Sequence, residues 1–332
     1  MKGSDLLRLI GLFMRVARRR ASRVGDVQRN AMSSHGMAYD LFRPKGRADA
    51  TLIALHGGTW NGKDDPRLQH LAQCLAASGA LCIVPTLPGL SRFQWIPDDI
   101  VGLVDLVDEF SSLGARVGLI GFSYGGSYAL MAAAHPLVAT RVGFVLSFGA
   151  YYSLGDLFRH QMTFGRTWPQ QARDWDNWLY LQLAMARRHA ARLPLAEAVI
   201  HELTDLLERY CHASTIEEKR TFYQRHLGSE VLIELEKAMM NDELCGQLSP
   251  AGKLNAIRCP VGLLHAAGDS LVPSEHARGI ARELSASGTI PRMLVTDLLN
   301  HVDFSNAFNL AQWYRLATLL LPLVRRLPEE PS

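Results

Sequence analysis

Short apolar runs recur along the chain between polar, glycine- or proline-bearing breaks. They predict strands at 51–55, 80–85, 117–120, 142–147, 261–265 and 292–295, with an earlier strand or hairpin around Met37–Arg43. Runs that are apolar at nearly every position suit strands buried on both faces. Between them, apolar residues at helical spacing predict helices over about 66–78, 97–112 and 126–134, one beginning near Ser274, and a last from about Ser305 to Leu321. Strands alternating with helices imply an α/β fold, with a mostly parallel, doubly wound sheet and helices on both faces.

From about Tyr151 to Pro250 the alternation stops. Helical patterns occupy 170–193, 195–212, 215–227 and 230–244, broken at Pro194, Ser214 and Gly228. An all-helical insertion between two core strands reads as a cap. The expected organisation is a basic amphipathic segment at 1–30, a core of 31–150 and 251–332, and a helical cap at 151–250. The cap is rich in bulky side chains, most of which are expected to pack its own core. Phe164 and Trp168 stand apart from its regular helical stripes and are the candidates for lining an apolar pocket.

Composition narrows the classes. A chain of 332 residues, 48% hydrophobic and 20% charged, is globular and long enough for one α/β domain with an insertion. Its five cysteines have no metal-like spacing, and their odd count suits reduced thiols in a cytoplasmic setting. There is no zinc, calcium or Walker signature. Gly118-Leu119-Ile120-Gly121 lacks the third glycine and the later acid of a dinucleotide turn, so no metal or organic cofactor is expected.

Charge is uneven. Residues 1–30 hold eight Lys and Arg against two Asp, while the whole chain carries only +3, so the remainder is net acidic. Leu6, Leu9, Ile10, Phe13, Met14 and Val16 form an apolar face opposite Arg8, Arg15, Arg18 and Arg19. The run is too short to span a bilayer. It reads as a helix packing on the body or a partner chain, as a membrane-surface contact through residues 1–20, or as a presequence. Without basic–aromatic interleaving, no nucleic-acid partner is expected.

The chemistry concentrates at Gly121-Phe122-Ser123-Tyr124-Gly125, a G-x-S-x-G run between an apolar strand and a helix of small residues. A serine on so tight a turn presents its hydroxyl away from the sheet, and flanking glycines let backbone pass without a Cβ clash. A hydroxyl needs a base, and the base a carboxylate that fixes its tautomer. Both follow the serine in the chain, acid first and histidine second: Gly268-Asp269 after the 261–265 strand, His301 after the 292–295 strand. Ser123 is thus the candidate nucleophile, His301 the base then acid, and Asp269 the orienting group. Asp269 could instead cap the helix near Ser274. Asp297 and Asp303 bracket His301, and Asp156 is a position-swapped alternative acid; His265 and His276 read as structural.

His56-Gly57-Gly58-Thr59-Trp60 follows the 51–55 strand. Its Gly58 N–H, with the Tyr124 N–H, is the candidate oxyanion hole, against a plain Gly-Gly turn. His56 is expected to brace this loop, and Thr59 and Trp60 are further pocket candidates.

Together, His56-Gly57-Gly58, Pro85-Thr86-Leu87-Pro88-Gly89, Gly121 to Gly125, Gly268-Asp269 and His301 resemble the α/β-hydrolase-fold serine hydrolases, over residues 40–150 and 255–325. Gly62-Lys63-Asp64-Asp65-Pro66-Arg67-Leu68 resembles bacterial members known only as α/β hydrolases. Thr86 stands where members often carry Asp, a departure that bears on loop bracing. The resemblance implies a cofactor-free, esterase-like enzyme acting on a small-molecule ester with an apolar portion. The same residues serve thioesterases, acyltransferases and amidases. A non-catalytic lipid- or protein-binding scaffold is the alternative from another class.

Overall fold

In the computed structural model, which describes residues 27–48, 50–92, 94–112, 116–167, 243–304, 310–321 and 325, eight strands form one sheet. They are β1 (Gln28–Ser34), β2 (Met37–Arg43), β3 (Ala50–Leu55), β4 (Ala80–Pro85), β5 (Val117–Phe122), β6 (Val142–Phe148), β7 (Val261–Ala266) and β8 (Arg292–Thr296). Their spatial order is β1-β2-β4-β3-β5-β6-β7-β8. β1 and β2 run antiparallel at one edge; from β4 through β8 every pairing is parallel.

Helices α1 (Pro66–Ala77), α2 (Pro88–Ser91), α3 (Asp98–Ser111), α4 (Tyr124–Ala134), α5 (Leu154–Thr167), α6 (Glu243–Gln247), α7 (Glu275–Ala286) and α8 (Leu310–Leu319) connect or flank them. The period of two along the strands builds two apolar layers. Ile53, Leu55, Leu119, Val145 and Leu263 face one layer with residues of α3 and α4. Leu52, Ala54, Ile120, Phe144 and Leu264 face the other, with Leu68 and Leu75 of α1 and Leu316 and Leu319 of α8. β3, β4, β6 and β7 are buried at every residue, which is why their sequence runs are continuously apolar.

The boundary expected at residue 30 moves. Residues 28–30 begin β1 instead of ending a basic helix, and Arg29 reaches the buried Asp40 on β2 with Nη2–Oδ2 2.6 Å. Lys63 Nζ at 3.2 Å and Gln69 Nε2 at 3.0 Å also donate to Asp40 Oδ2, tying the loop after β3 and helix α1 to that edge. β1 is polar and exposed, so no apolar alternation marks it in the sequence.

The bracing sought at Thr86 comes from Asp99 on α3. Its two carboxylate oxygens accept from Gly89 N at 2.9 Å and Leu90 N at 3.0 Å, capping the short α2. Burial lifts this carboxyl to about 6 despite those bonds. Cys74, Cys82 and Cys259 are buried and Cys245 is partly buried. Among the described residues no helix is long and apolar enough to cross a membrane. Residues 1–26, and with them the amphipathic helix expected at 1–20, lie outside the described residues, as does nearly all of the helical run expected from 170 to 244.

Candidate active site

Ser123 sits between β5 and α4 with φ 53° and ψ −124°, backbone angles that a side chain rarely adopts. Such a conformation costs roughly 1–3 kcal/mol and persists only where the surroundings over-determine it. Here they do. The Ser123 N–H donates to Phe148 O at 2.7 Å and the Gly126 N–H to Ser123 O at 2.9 Å. A Cβ on Gly121 would collide with the Gly125 carbonyl oxygen, and one on Gly125 with the His56 carbonyl oxygen. Both glycines of the motif are therefore sterically required, and the helix can start directly over the strand end.

The loop after β7 brings Asp269 to the same place. Its Oδ1 accepts from Leu271 N and Val272 N, each at 3.0 Å, leaving Oδ2 to face His301 Nδ1 at 2.7 Å. The side chain is 0% exposed. Burial would raise its pKa, but His301, His265 and the Val272 N–H together hold it below the ordinary carboxylate value. Asp269 is thus more than a helix cap.

His301 occupies the two-residue tip between β9 (Leu299–Asn300) and β10 (Asp303–Phe304), with φ 55°. Its Nε2 lies 2.9 Å from Ser123 Oγ. Because Asp269 Oδ2 can only accept, Nδ1 carries a proton and Nε2 is the nitrogen that faces the serine hydroxyl. The His301 side chain is 17% exposed, while Ser123 is buried. Gly149, which the sequence reading passed over, makes room for the ring. It has φ +62°, and a Cβ there would stand 3.2 Å from His301 Cε1. The Phe-Gly-Ala step directly after an apolar strand was its available signal.

The other acids separate from the site. Asp156 is exposed and pairs with Arg159 at 2.5 Å. Asp297 is exposed, and the Asp303 side chain lies outside the described residues. His265 is buried, its Nε2 donating to Val272 O at 2.7 Å and standing 3.5 Å from Asp269 Oδ2. His276 Nδ1 accepts from Tyr152 N at 3.1 Å, and burial pushes its pKa down to about 4.

The loop after β3 lies against the serine: a Cβ on Gly57 would stand 2.9 Å from Ser123 Cβ. His56 braces it as expected. Leu87 N–H donates to its Nε2 at 2.9 Å, so Nδ1 bears the proton and donates to Gly57 O at 2.6 Å. Buried this way the ring stays neutral, with its pKa pushed down to about 4. Among the described residues neither the Gly58 nor the Tyr124 N–H has an acceptor. Thr59 closes a local turn, its Oγ1 accepting from Asn61 N at 3.3 Å, and Trp60 is 38% exposed. Phe164 falls on α5 with its side chain outside the described residues, and Trp168 lies wholly outside them.

A serine, a histidine and a buried carboxylate in hydrogen-bonded sequence at the carboxyl ends of parallel strands define the class of α/β hydrolases. Residues 52–307 match the model of the alpha/beta hydrolase family, and the chain belongs to that family. No curated protein sequence matches it. Among solved structures, an acylaminoacyl peptidase of Pyrococcus horikoshii aligns with a TM-score of 0.54 at 13% identity, over 92% of this chain and 42% of that one. This chain thus spans less than half of the peptidase. An esterase of Pyrococcus furiosus gives 0.52 at 14% identity, over 89% and 90% of the two chains. The 2,6-dihydroxy-pseudo-oxynicotine hydrolase gives 0.50 at 16%, over 92% and 71%. At these identities the likeness speaks for the fold.

Proposed function

We propose that the chain is a serine hydrolase that cleaves a carboxylic ester with an apolar portion through an acyl-enzyme. The observation that carries this reading is the pair of contacts, Ser123 Oγ to His301 Nε2 at 2.9 Å and His301 Nδ1 to Asp269 Oδ2 at 2.7 Å. Ser123 Oγ attacks the carbonyl carbon as its proton passes to His301 Nε2. The carbonyl oxygen takes up negative charge and is met by the Gly58 and Tyr124 N–H groups. Collapse breaks the ester bond, and His301 returns the proton to the leaving alcohol. His301 then takes a proton from water, whose oxygen attacks the acyl carbon; the bond from that carbon to Ser123 Oγ breaks, His301 Nε2 returns the proton to Oγ, and the acid leaves. Asp269 stays ionised and steadies the imidazolium in both halves.

Thr59, Trp60, Phe164 and Trp168 are proposed to line the side that receives the apolar portion. The ester reading is tested with p-nitrophenyl esters of graded acyl length alongside a matched thioester and anilide. It expects a preference for an ester with a medium or long acyl chain, lost in Ser123→Ala. A matched thioester or anilide turned over faster by kcat/KM would reassign the substrate class while keeping the residues.

A further inference from the structure

The loop carrying Asp269 is gripped from outside at three successive carbonyls. Ser270 O accepts from His160 Nε2 at 2.9 Å, Leu271 O from Gln161 Nε2 at 3.1 Å, and Val272 O from His265 Nε2 at 2.7 Å. His265 belongs to β7, next door in the chain. His160 and Gln161 are neighbours on α5, 110 residues away from the carbonyls they serve.

These bonds fall on the same peptide units that hold the carboxylate. The peptide between Ser270 and Leu271 gives its carbonyl to His160 and its N–H to Asp269 Oδ1. The next peptide gives its carbonyl to Gln161 and its N–H to the same Oδ1. Each plane is pinned at both ends, so neither can rotate without breaking a bond at the carboxylate. Hydrogen bonds in series also polarise one another, strengthening the N–H as a donor to Asp269. Both N–H groups on Oδ1 leave Oδ2 as the oxygen that meets His301.

The same helix reaches the nucleophile's side. Phe158 packs edge-on against Trp95, with ring centroids 4.9 Å apart, and Trp95 lies 6.1 Å from Tyr124, the residue after Ser123. α5 also lies at the start of residues 151–250, the stretch whose sequence reads as a cap.

We propose that His160 and Gln161 are positioning residues for the acid: α5 sets Asp269 through the Ser270–Leu271 and Leu271–Val272 peptides. The proposal rests on the reading of Ser123, His301 and Asp269 as the reacting set. It makes the root of the insertion part of the catalytic apparatus, and neither residue need touch substrate.

The test uses the full chain with His160→Leu, His160→Gln and Gln161→Leu. It follows the rate of fluorophosphonate labelling of Ser123, kcat and KM on an ester, and Tm. A buried carbonyl that loses its donor forfeits enough to expect each Leu variant to lose about tenfold in labelling rate and kcat, with KM within about twofold. His160→Gln, which keeps an N–H near the place of Nε2, recovers most of the loss. In an Asp269→Asn background the same substitutions should cost less than about twofold, because residues that act through one group are not additive. Variants labelled at the wild-type rate with only a lower Tm would overturn the proposal, as would an equal loss in the Asp269→Asn background. His160, only partly buried, carries the test if Gln161→Leu does not fold. A wild-type chain that is never labelled overturns the reading of Ser123 as nucleophile and this proposal with it, whereas a labelled wild type with unaffected variants overturns the proposal alone.

Discussion

The two ends of the Ser123–His301–Asp269 line are held by different physics. Ser123 is fixed by backbone and sterics: a strained elbow, glycines against which nothing larger fits, and bonds from its own main chain to neighbouring turns. Asp269 is fixed by polar contacts, with two backbone N–H groups on one oxygen and side chains of α5 and β7 on the carbonyls behind them. Steric fixation fails abruptly when volume is added, since close-packed backbone has nowhere to go. Polar fixation fails by degrees, one donor at a time. The elbow should therefore be intolerant and the acid loop adjustable.

The largest effects are expected at the three proposed reacting groups. Ser123→Ala or His301→Ala should each lower ester turnover by about 10⁶-fold with the double variant little worse, because such residues act as a unit. Asp269→Asn should lose less, about 10⁴-fold, with the fold retained. Steady-state kinetics on purified, folded variants checks all three. Near-normal turnover in Asp269→Asn would remove the polar half of the comparison.

The steric half is broken by one methyl group. Gly125→Ala sets a Cβ against the His56 carbonyl, so the elbow and the Gly57–Gly58 loop cannot both stay in place. Overpacking of this kind costs about 1–3 kcal/mol or more. The expected result is a much lowered Tm together with loss of fluorophosphonate labelling. A Gly125→Ala chain that melts and reacts like wild type would show that the elbow is softer than its packing implies.

Acid pH sharpens the comparison, since buried histidines brace both regions. His56 beside the elbow and His276 near the acid loop have pKa values pushed from 6.5 to about 4 by burial. In that window the unfolded chain binds protons that the folded chain refuses, so stability falls as pH drops from 6.5 towards 4. Asp99, raised to about 6, works in the opposite sense: between 6 and its ordinary 3.8 the folded state takes the proton first. His265, whose pKa burial also lowers, adds to the two, so the histidines outweigh one aspartate and Tm should fall on acidification across this range. His276→Asn, whose Oδ1 still accepts the Tyr152 N–H without titrating, should flatten the fall. An unchanged acid limb in that variant would contradict the assignment.

The smallest effect is expected at the N-terminus. A chain beginning at Val27 keeps all of β1 and the Arg29–Asp40 pair, unlike one cut within the strand. If residues 1–20 contact anionic lipid, each cation near the surface contributes about 1 kcal/mol. The full chain should then co-sediment with anionic vesicles at low salt while the shortened one stays behind, equally active. A lowered Tm and aggregation of the shortened chain would instead show that the segment packs on the body.

Strands buried on both faces were legible because burial writes itself as continuous apolar sequence; β3, β4, β6 and β7 lie within a residue or two of where the pattern puts them. β1 was not, since an exposed edge strand needs no apolar face. Nor was the hairpin that presents His301: strands of two residues are too short to show a period. That Ser123, Asp269 and His301 meet could be anticipated because each follows a strand end in the chain order of the α/β-hydrolase pattern. Asp99, Gly149, His160 and Gln161 could not, because what they touch lies far along the chain and only the fold brings it near.

The most direct test of the central claim is intact-mass and peptide mapping after reaction with a fluorophosphonate at neutral pH. The account predicts one phosphonyl group per chain, on Ser123, with labelling abolished in Ser123→Ala and slowed by several powers of ten in His301→Ala. Labelling elsewhere in the chain, or at the same rate in His301→Ala, would contradict it.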